Sequence, residues 1–374
     1  MYLTLNAPDL VRPLYRAIAP HLSQPLDRHW RLPSKRQQGD GLPDDVWARV
    51  EAMEIEERRQ KRLQPLSEVE RAAIKALRTR QWLGLLDLFE RKGVQGVLVW
   101  NGYRGRRGLL TEAAEARKIP VVHLERCAFP GFIQADRNGV NAGSERLMSD
   151  DFRTQTPDEA IGRWFRASQR QRRGPNPFAS ASKPLDDLPS RFLYCPMQVA
   201  ADTQLTVHGG WTPDMPSFLV ALVKASEALP ADVSLVVRPH PSCRVGQDSA
   251  LSLALTNPRV RVITGGTSAD LLQACKAVVT VNSSVGLEAF AFDKPVITLG
   301  QSFYHREGLT RQAGDAAALK QAFRELDDLS FDAAARRQFL TWLRGEGFQR
   351  WPRDRRDPAA KALADRIEGL FKTS

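Results

Sequence analysis

Short apolar runs of strand length, alternating with segments of helical periodicity, constrain this chain more than any other feature. Gly93–Trp100 (GVQGVLVW) is followed by a helical stretch over Leu110–Arg117 and a second run at Ile119–Leu124 (IPVVHL). The alternation resumes with Arg191–Cys195 (RFLYC), a helix over Pro216–Ala228 and strands at Val233–Arg238 (VSLVVR) and Val260–Ile263. A helix over Ser268–Cys275, a strand at Ala277–Val281, a helix over Val285–Phe292 and a strand at Val296–Leu299 continue it. Runs that stay apolar at every position suit strands buried on both faces, as in a parallel sheet covered by helices. The pattern predicts α/β architecture built from strand–helix–strand units.

The spacing divides the chain. At 374 residues it exceeds one ordinary core and suits two. The stretch Phe165–Pro189 is rich in Arg, Gln, Ser and Pro and reads as a linker or exposed loop. The expected organisation is an N-terminal Rossmann-like domain over 1–185, a second over 186–345, and a C-terminal helix in 346–374 that packs back on the first. The two domains are expected to face one another across a cleft. The first sixty-odd residues show no sustained periodicity apart from a helix over Asp45–Arg62. A firmer start is Ser67-x-x-Glu70, a capping box that opens a long helix.

Charge narrows the partners. Lys and Arg number 54 against 43 Asp and Glu, a net +11, gathered in Arg28–Arg36, Glu57–Arg62, Arg104–Arg107, Arg166–Arg173 and Arg350–Arg356. Such runs are ordinarily solvated faces, but the excess suits an anionic substrate or an anionic membrane surface. Arg166–Arg173 and the N-terminal cluster are expected to aid peripheral membrane contact, at about 1 kcal/mol per charge. Aromatic residues do not interleave with the basic runs in an RNP-like pattern, which argues against nucleic acid. Four scattered cysteines, Cys127, Cys195, Cys243 and Cys275, signal neither zinc nor a disulfide framework. With no basic-then-apolar leader and no apolar stretch of membrane length, a cytoplasmic protein is expected.

In an open parallel sheet, ligands bind beyond the carboxyl ends of the strands. Residues there include Asn101 and Arg104, Glu125, Gln198 and Asp202, Arg238 and His240, and Asn282-Ser283-Ser284. The segment VVTVNSSVGLEAFAFDKPVITLG sets Asn-Ser-Ser between a strand and a helix, where Ser283 or Ser284 can cap and Gly286 allows close backbone approach. A helix start of this kind suits a phosphate, and equally an ordinary serine cap with no ligand. In RPHP, prolines on both sides of His240 restrain it, and Arg238 adds charge. His123, inside an apolar strand, reads as a core histidine. Glu125 and Asp202 follow strands of different domains and could serve group transfer or be a helix cap and a surface ion pair.

Five pieces, WNGYRGRRGLL, HLERCAFPGFIQADRNGVN, PMQVAADTQL, RPHP and NSSVGLEAFAFDKPVITLGQSFY, occur in order across Trp100–Leu309. In this the chain resembles the capsule polysaccharide synthesis family, the KpsC/KpsS-like proteins and the related retaining β-Kdo transferases. The resemblance implies a GT-B-type glycosyltransferase that uses CMP-Kdo as donor and a glycan or glycolipid as acceptor, with no metal or other cofactor. It further implies double displacement, with Asp202 as nucleophile and Glu125 as acid/base or acceptor-orienting group. His240, Ser283 and Ser284 would hold the CMP phosphate or the Kdo carboxylate. Gln198, Asn282 and Glu288 would line the donor pocket, with Arg238 and Gly286 beside them and Asn101 and Arg104 on the acceptor side. Cys127 after Glu125-Arg126 departs from the family's Glu-Asn-Gly or Glu-Arg-Gly pattern, and the length admits one catalytic module. Alternatives are another GT-B-like nucleotide-sugar transferase or epimerase, or a non-catalytic capsule-assembly protein.

Overall fold

The computed structural model describes residues 1–5, 9, 11–35, 41–60, 64–171, 188–200, 202–240 and 248–372. Arg36, Lys61–Arg62, Arg172–Arg173, most of the 165–189 stretch, Pro241 and Cys243 lie outside the described residues. The chain divides into two compact units: Met1–Cys127, Gly131–Arg146 and Glu346–Ser374 form one, and Ala128–Pro130 with Leu147–Gly345 the other.

The first unit opens with elements that lack an obvious sequence signal: β1 (Tyr2–Leu5), α1 (Val11–Ile18) and β2 (Leu26–His29). The expectation of an unpatterned N-terminus is corrected here. β1 is only four residues long and buried at every position, so it shows no alternation. In α1, Val11, Leu14, Tyr15 and Ile18 form a buried stripe, and Pro13 is tolerated because it stands in the first turn. Next come α2 (Asp44–Gln60), α3 (Glu68–Lys92), β3 (Gly96–Trp100), α4 (Gly105–Ala116), β4 (Val121–Arg126) and β5 (Phe132–Asp136). The capping box starts α3: Ser67 Oγ accepts from Glu70 N at 3.3 Å, and Ser67 N donates to Glu70 Oε2 at 3.0 Å. Gly93 ends it in a left-handed conformation, φ 56°, that costs glycine no steric penalty.

The second unit contains α5 (Ile161–Gln171), β6 (Phe192–Pro196), α6 (Thr203–His208), α7 (Met215–Ala225), β7 (Ser234–Arg238), α8 (Asp248–Leu255) and β8 (Val260–Val262). It continues with α9 (Ser268–Ala274), β9 (Ala277–Thr280), α10 (Ser284–Phe290), β10 (Val296–Thr298), β11 (Arg311–Gln312), α11 (Ala316–Arg324) and α12 (Ala333–Trp342). The last segment, β12 (Gln349–Arg350) and α13 (Pro358–Lys372), belongs to the first unit.

The second unit begins at Leu147 rather than near residue 186, because α5 belongs to its core. Phe165 and Trp164 pack on Phe129, with ring centroids 4.5 and 5.2 Å apart, and the Arg344 guanidinium lies 4.3 Å from the Trp164 ring.

Each sheet has six strands. The first runs β12-β5-β4-β3-β1-β2, parallel from β4 to β2 and antiparallel at β5 and β12. Alternation hidden by uniform hydrophobicity appears in its packing. Leu3, Leu5, Val97, Val99 and Val121 face α2, α3 and α4, while Tyr2, Leu98, Trp100, Val122 and Leu124 face α1 and α13. The second sheet, β11-β10-β9-β6-β7-β8, is parallel throughout. One of its faces packs Leu193, Leu235, Val279 and Ile297 against Phe218 and Leu222 of α7 and Phe323 of α11. Each such fully buried side chain stabilises the fold by about 1.5–3 kcal/mol.

Arg336 of α12 is 2% exposed. Its Nε and Nη2 donate to Leu309 O at 3.0 and 2.7 Å, and Nη1 donates to Lys294 O at 2.8 Å. Phe331 and Phe290 lie 3.6 and 4.2 Å from the guanidinium. Burial pulls its pKa down to about 9, with Asp293 opposing. Arg336→Met should lower the unfolding free energy by about 2–4 kcal/mol, because two buried carbonyls lose their donor. Arg336→Lys should recover little of it, since one ammonium cannot copy the planar fork. Urea denaturation of the three proteins checks both.

Candidate functional site

Chain order locates the crevice in the second sheet. Successive crossovers run from β6 to β7 and β8 on one side, then resume with β9 on the other. The carboxyl ends of β6 and β9 therefore flank a topological switch point. Gln198 follows one strand and Asn282 the other. Gln198 Nε2 donates to Asn282 Oδ1 at 3.0 Å, and Asn282 N donates to Gln198 Oε1 at 3.3 Å. Asn282 Nδ2 also points at the carbonyls of Gln204, His208 and Gln301 at 2.8, 3.2 and 3.1 Å. Both side chains are buried, at 3% and 1% exposure. They form a polar floor that shapes the loops around it, rather than a surface presented to ligand.

Asp202, Arg238 and His240 come together beside this floor. Asp202 is the N-cap of α6, its Oδ1 accepting from Gln204 N at 2.9 Å. Arg238, ending β7, donates from Nη2 to Gly266 O at 2.7 Å. Its Nη1 is buried with no hydrogen-bond partner among the described residues. His240 is half-buried, and burial holds its pKa below the ordinary imidazole value; Asp202 acts to raise it and Arg238 to lower it. The trio thus offers a carboxylate, a guanidinium and a neutral imidazole within electrostatic reach of one another. Tyr194 is buried beneath them, its pKa raised to about 12 by burial, and its hydroxyl feels Arg238 and Glu288 with opposite sign.

The Asn-Ser-Ser turn also takes shape. Ser283 caps α10, its Oγ accepting from Val285 N at 3.3 Å, while its own N–H donates to Thr280 Oγ1 at 3.2 Å. Ser284 is the first helical residue and half-exposed. Gly286 has a different task from the one its sequence suggested. A β-carbon there would lie 2.5 Å from the Tyr304 hydroxyl, and that hydroxyl donates to Ser283 O at 2.6 Å. The glycine makes room for the tyrosine that braces the turn, not for an approaching ligand. Tyr304 was not among the residues singled out from sequence; nothing in its local pattern links it to a glycine 18 residues earlier. Glu288 follows on α10, half-buried.

In the first unit, Asn101 Nδ2 donates to Glu125 Oε2 at 2.7 Å, so the carboxyl ends of β3 and β4 are joined by two of the expected residues. Asn101 has φ 65°, and its Oδ1 accepts from Tyr103 N at 3.2 Å. Arg104 is the N-cap residue of α4, without a side-chain cap. Arg107 is a residue the sequence reading left inside a charge run. Burial pulls its pKa down and Glu125 pushes it up, which makes it an electrostatic neighbour of that carboxylate. His123 is a core histidine, 4% exposed, with Nδ1 3.0 Å from Asn101 O.

Among the described residues, no group of three or more His, Cys, Asp or Glu is placed to hold a metal ion, and no helix is long and apolar enough to cross a membrane.

Known proteins resemble this chain in sequence and fold. The family described as "Capsule polysaccharide biosynthesis protein" matches residues 150–344. Protein FixF of Sinorhizobium fredii is 32% identical over 247 residues, which cover 66% of this chain and 58% of that protein. The capsule polysaccharide export protein KpsS of Escherichia coli is 25% identical over 139 residues, 34% of either protein. The chain therefore spans less than two thirds of the length of these relatives. The β-Kdo 2,7-transferase structure of Thermosulfurimonas dismutans KpsC matches with a TM-score of 0.54 and 16% identity over 99% of both chains. At that identity the likeness bears on the fold, which is α/β and GT-B-like.

Two outcomes follow from the geometry. Asn282→Ala should cost about 2–3 kcal/mol in chemical denaturation, because buried carbonyls lose their shared donor. Burial lowers the pKa of His123, His208, His240 and His305. Their neutral forms belong to the fold, while the unfolded chain takes up protons near pH 6.5. Stability should therefore be fully present above about pH 6.5 and fall as pH drops towards the folded-state values. His123→Gln should flatten that slope by up to about 1.4 kcal/mol per pH unit. Unfolding curves at several pH values between 7.5 and 5 measure it.

Proposed function

The chain belongs to the capsule polysaccharide biosynthesis protein family, and from that premise we propose that it is a retaining β-Kdo glycosyltransferase. On this reading it transfers Kdo from CMP-Kdo to a glycan or glycolipid acceptor, in the cytoplasm and peripherally on the inner membrane. The grouping of Asp202, Arg238 and His240 beside the switch point of the second sheet carries the reading.

The chemistry suits those groups. The anomeric carbon of Kdo is quaternary and bears a carboxylate, so bond breaking builds oxocarbenium character beside negative charge. Asp202 attacks that carbon, and the bonding pair leaves with the CMP phosphate. Arg238 offsets the charge gathering on that phosphate, and neutral His240 donates a hydrogen bond to it. The acceptor hydroxyl then displaces the Asp202 ester and gives up its proton to a base, restoring the carboxylate and retaining the configuration. Gln198 and Asn282 contribute by fixing the loops. The Ser283–Ser284 turn and Glu288 complete the donor side, and Asn101 and Arg104 serve the acceptor side.

The capping role of Asp202 makes the test clean. Asparagine caps a helix as well as aspartate does, so Asp202→Asn keeps α6 in place while removing the nucleophile. Intact-protein mass spectrometry after incubation with CMP-Kdo should show a covalent Kdo adduct in the parent and none in Asp202→Asn. Turnover should fall by about 10³-fold or more. CMP, and not UDP, should raise the thermal midpoint. Protection by UDP alone would assign the site to another nucleotide sugar, and unchanged glycan output from Asp202→Asn in cells would favour a non-catalytic assembly role.

A further inference from the structure

We propose that a cavity at the amino edge of the first sheet is a binding site for a nucleoside monophosphate. Such a site is independent of the transferase reading and lies apart from the residues that reading uses.

Four chain segments meet there. Gln95 precedes β3, Lys118 and Pro120 precede β4, Arg137 follows the antiparallel β5, and Phe371 comes from the end of α13. They line a cavity of about 570 Å³, within the range of small-molecule sites. Asn101 and Glu125 stand at the other ends of β3 and β4. β3 has five residues at about 3.3 Å each, so the cavity lies roughly 16 Å from that edge. A molecule held there acts as an effector, not as a reactant.

One wall residue occupies an unfavourable backbone position. Past α4, Lys118 N donates to Glu115 O and Ile119 N to Ala114 O, both at 2.9 Å. These bonds set Lys118 in the left-handed conformation after the cap, with φ 54°. Glycine is the ordinary occupant of such a position, as Gly93 is after α3. A lysine here answers the helix dipole, but Arg117 at the cap already does that. The Lys118 side chain is thus kept at a cost in backbone strain, and it lines the cavity.

The lining selects the ligand. Among the described residues, neither Lys118 nor Arg137 has a carboxylate partner for its side chain. Against these two cations the wall sets one carboxylate, Glu115, so the cavity favours an anion. A phosphate monoester can take a point charge from the lysine and a fork from the arginine. Phe371 is a fixed apolar wall. Its ring stacks on Tyr2 with centroids 4.6 Å apart, and a β-carbon on Gly96 would lie 2.7 Å from it. With Pro120 it offers a flat surface for a base. Gln95 and Glu115 are left to bond ribose hydroxyls. Inorganic phosphate would leave the apolar wall unused.

The full chain would be titrated calorimetrically with AMP, adenosine and ribose 5-phosphate. AMP is the probe because the donor reading assigns CMP to the second unit. Adenosine and ribose 5-phosphate should each bind at least about tenfold more weakly than AMP. Arg137→Gln and Lys118→Gly should each weaken AMP binding by about tenfold. Lys118→Gly should also raise the thermal midpoint by about 2–4 °C, because glycine relieves the left-handed backbone. Weaker binding by a more stable protein is not a folding defect. Equal AMP affinity in both variants and the parent would overturn the proposal, as would a parent that binds no AMP at millimolar concentration. Equal binding of AMP and ribose 5-phosphate would overturn the nucleoside class. Displacement of AMP by CMP, with Arg137→Gln binding AMP like the parent, would assign the AMP to the donor site and overturn it too.

Discussion

The side-chain amide of Asn282 is the constraint on which the second unit's polar edge depends. It sits where β9 ends, meets Gln198 beyond β6, and donates towards carbonyls from both ends of α6 and from the loop after β10. A buried carbonyl without a donor costs about 1–3 kcal/mol, so these segments are held in one arrangement. The consequences run outward through named contacts. Placing α6 places its cap, Asp202. Placing the loop after β10 places Tyr304, which braces Ser283 and fills the room left by Gly286. A strand junction in the core thus determines where a half-exposed turn and a helix cap stand.

The charges around that floor are arranged by burial as much as by pairing. Arg238 is tied by one nitrogen to the backbone of Gly266, and the other is buried near the edge. His240 is kept neutral chiefly by burial, which makes it a hydrogen-bond donor and not a second fixed cation. Arg336 shows the same physics used for structure alone: three donated hydrogen bonds and two aromatic faces replace the water a guanidinium would otherwise hold. The two arginines differ in role because one has every guanidinium nitrogen engaged and the other does not.

Much of the architecture was legible in particular residues. The Ser67–Glu70 box and the apolar runs that became β3, β4, β6, β7, β9 and β10 follow from local chemistry that acts within a few residues. Positions just after those strands proved to lie at the carboxyl edges, as parallel topology requires. What escaped was β1, a central strand too short and too uniformly buried to alternate, and α1, whose stripe is interrupted by Pro13. The domain boundary escaped for another reason. The polar stretch around residues 165–189 looks like a divider, but Phe165 is wholly buried, and the aromatic partner that holds it comes from Phe129.

The sequence by itself determined the alternation of strand and helix, the α/β class, the helix starts and the identity of the polar residues after each strand. These depend on contacts between near neighbours along the chain, and near neighbours are visible in a sequence. Only the tertiary structure decided which of those polar residues meet and what each does on meeting. Gln198 and Asn282 are 84 positions apart yet exchange hydrogen bonds, Gly286 serves Tyr304, and Arg12 comes to lie over Trp30. Strand order and burial set those encounters, and both are properties of the folded sheet, not of any segment read alone.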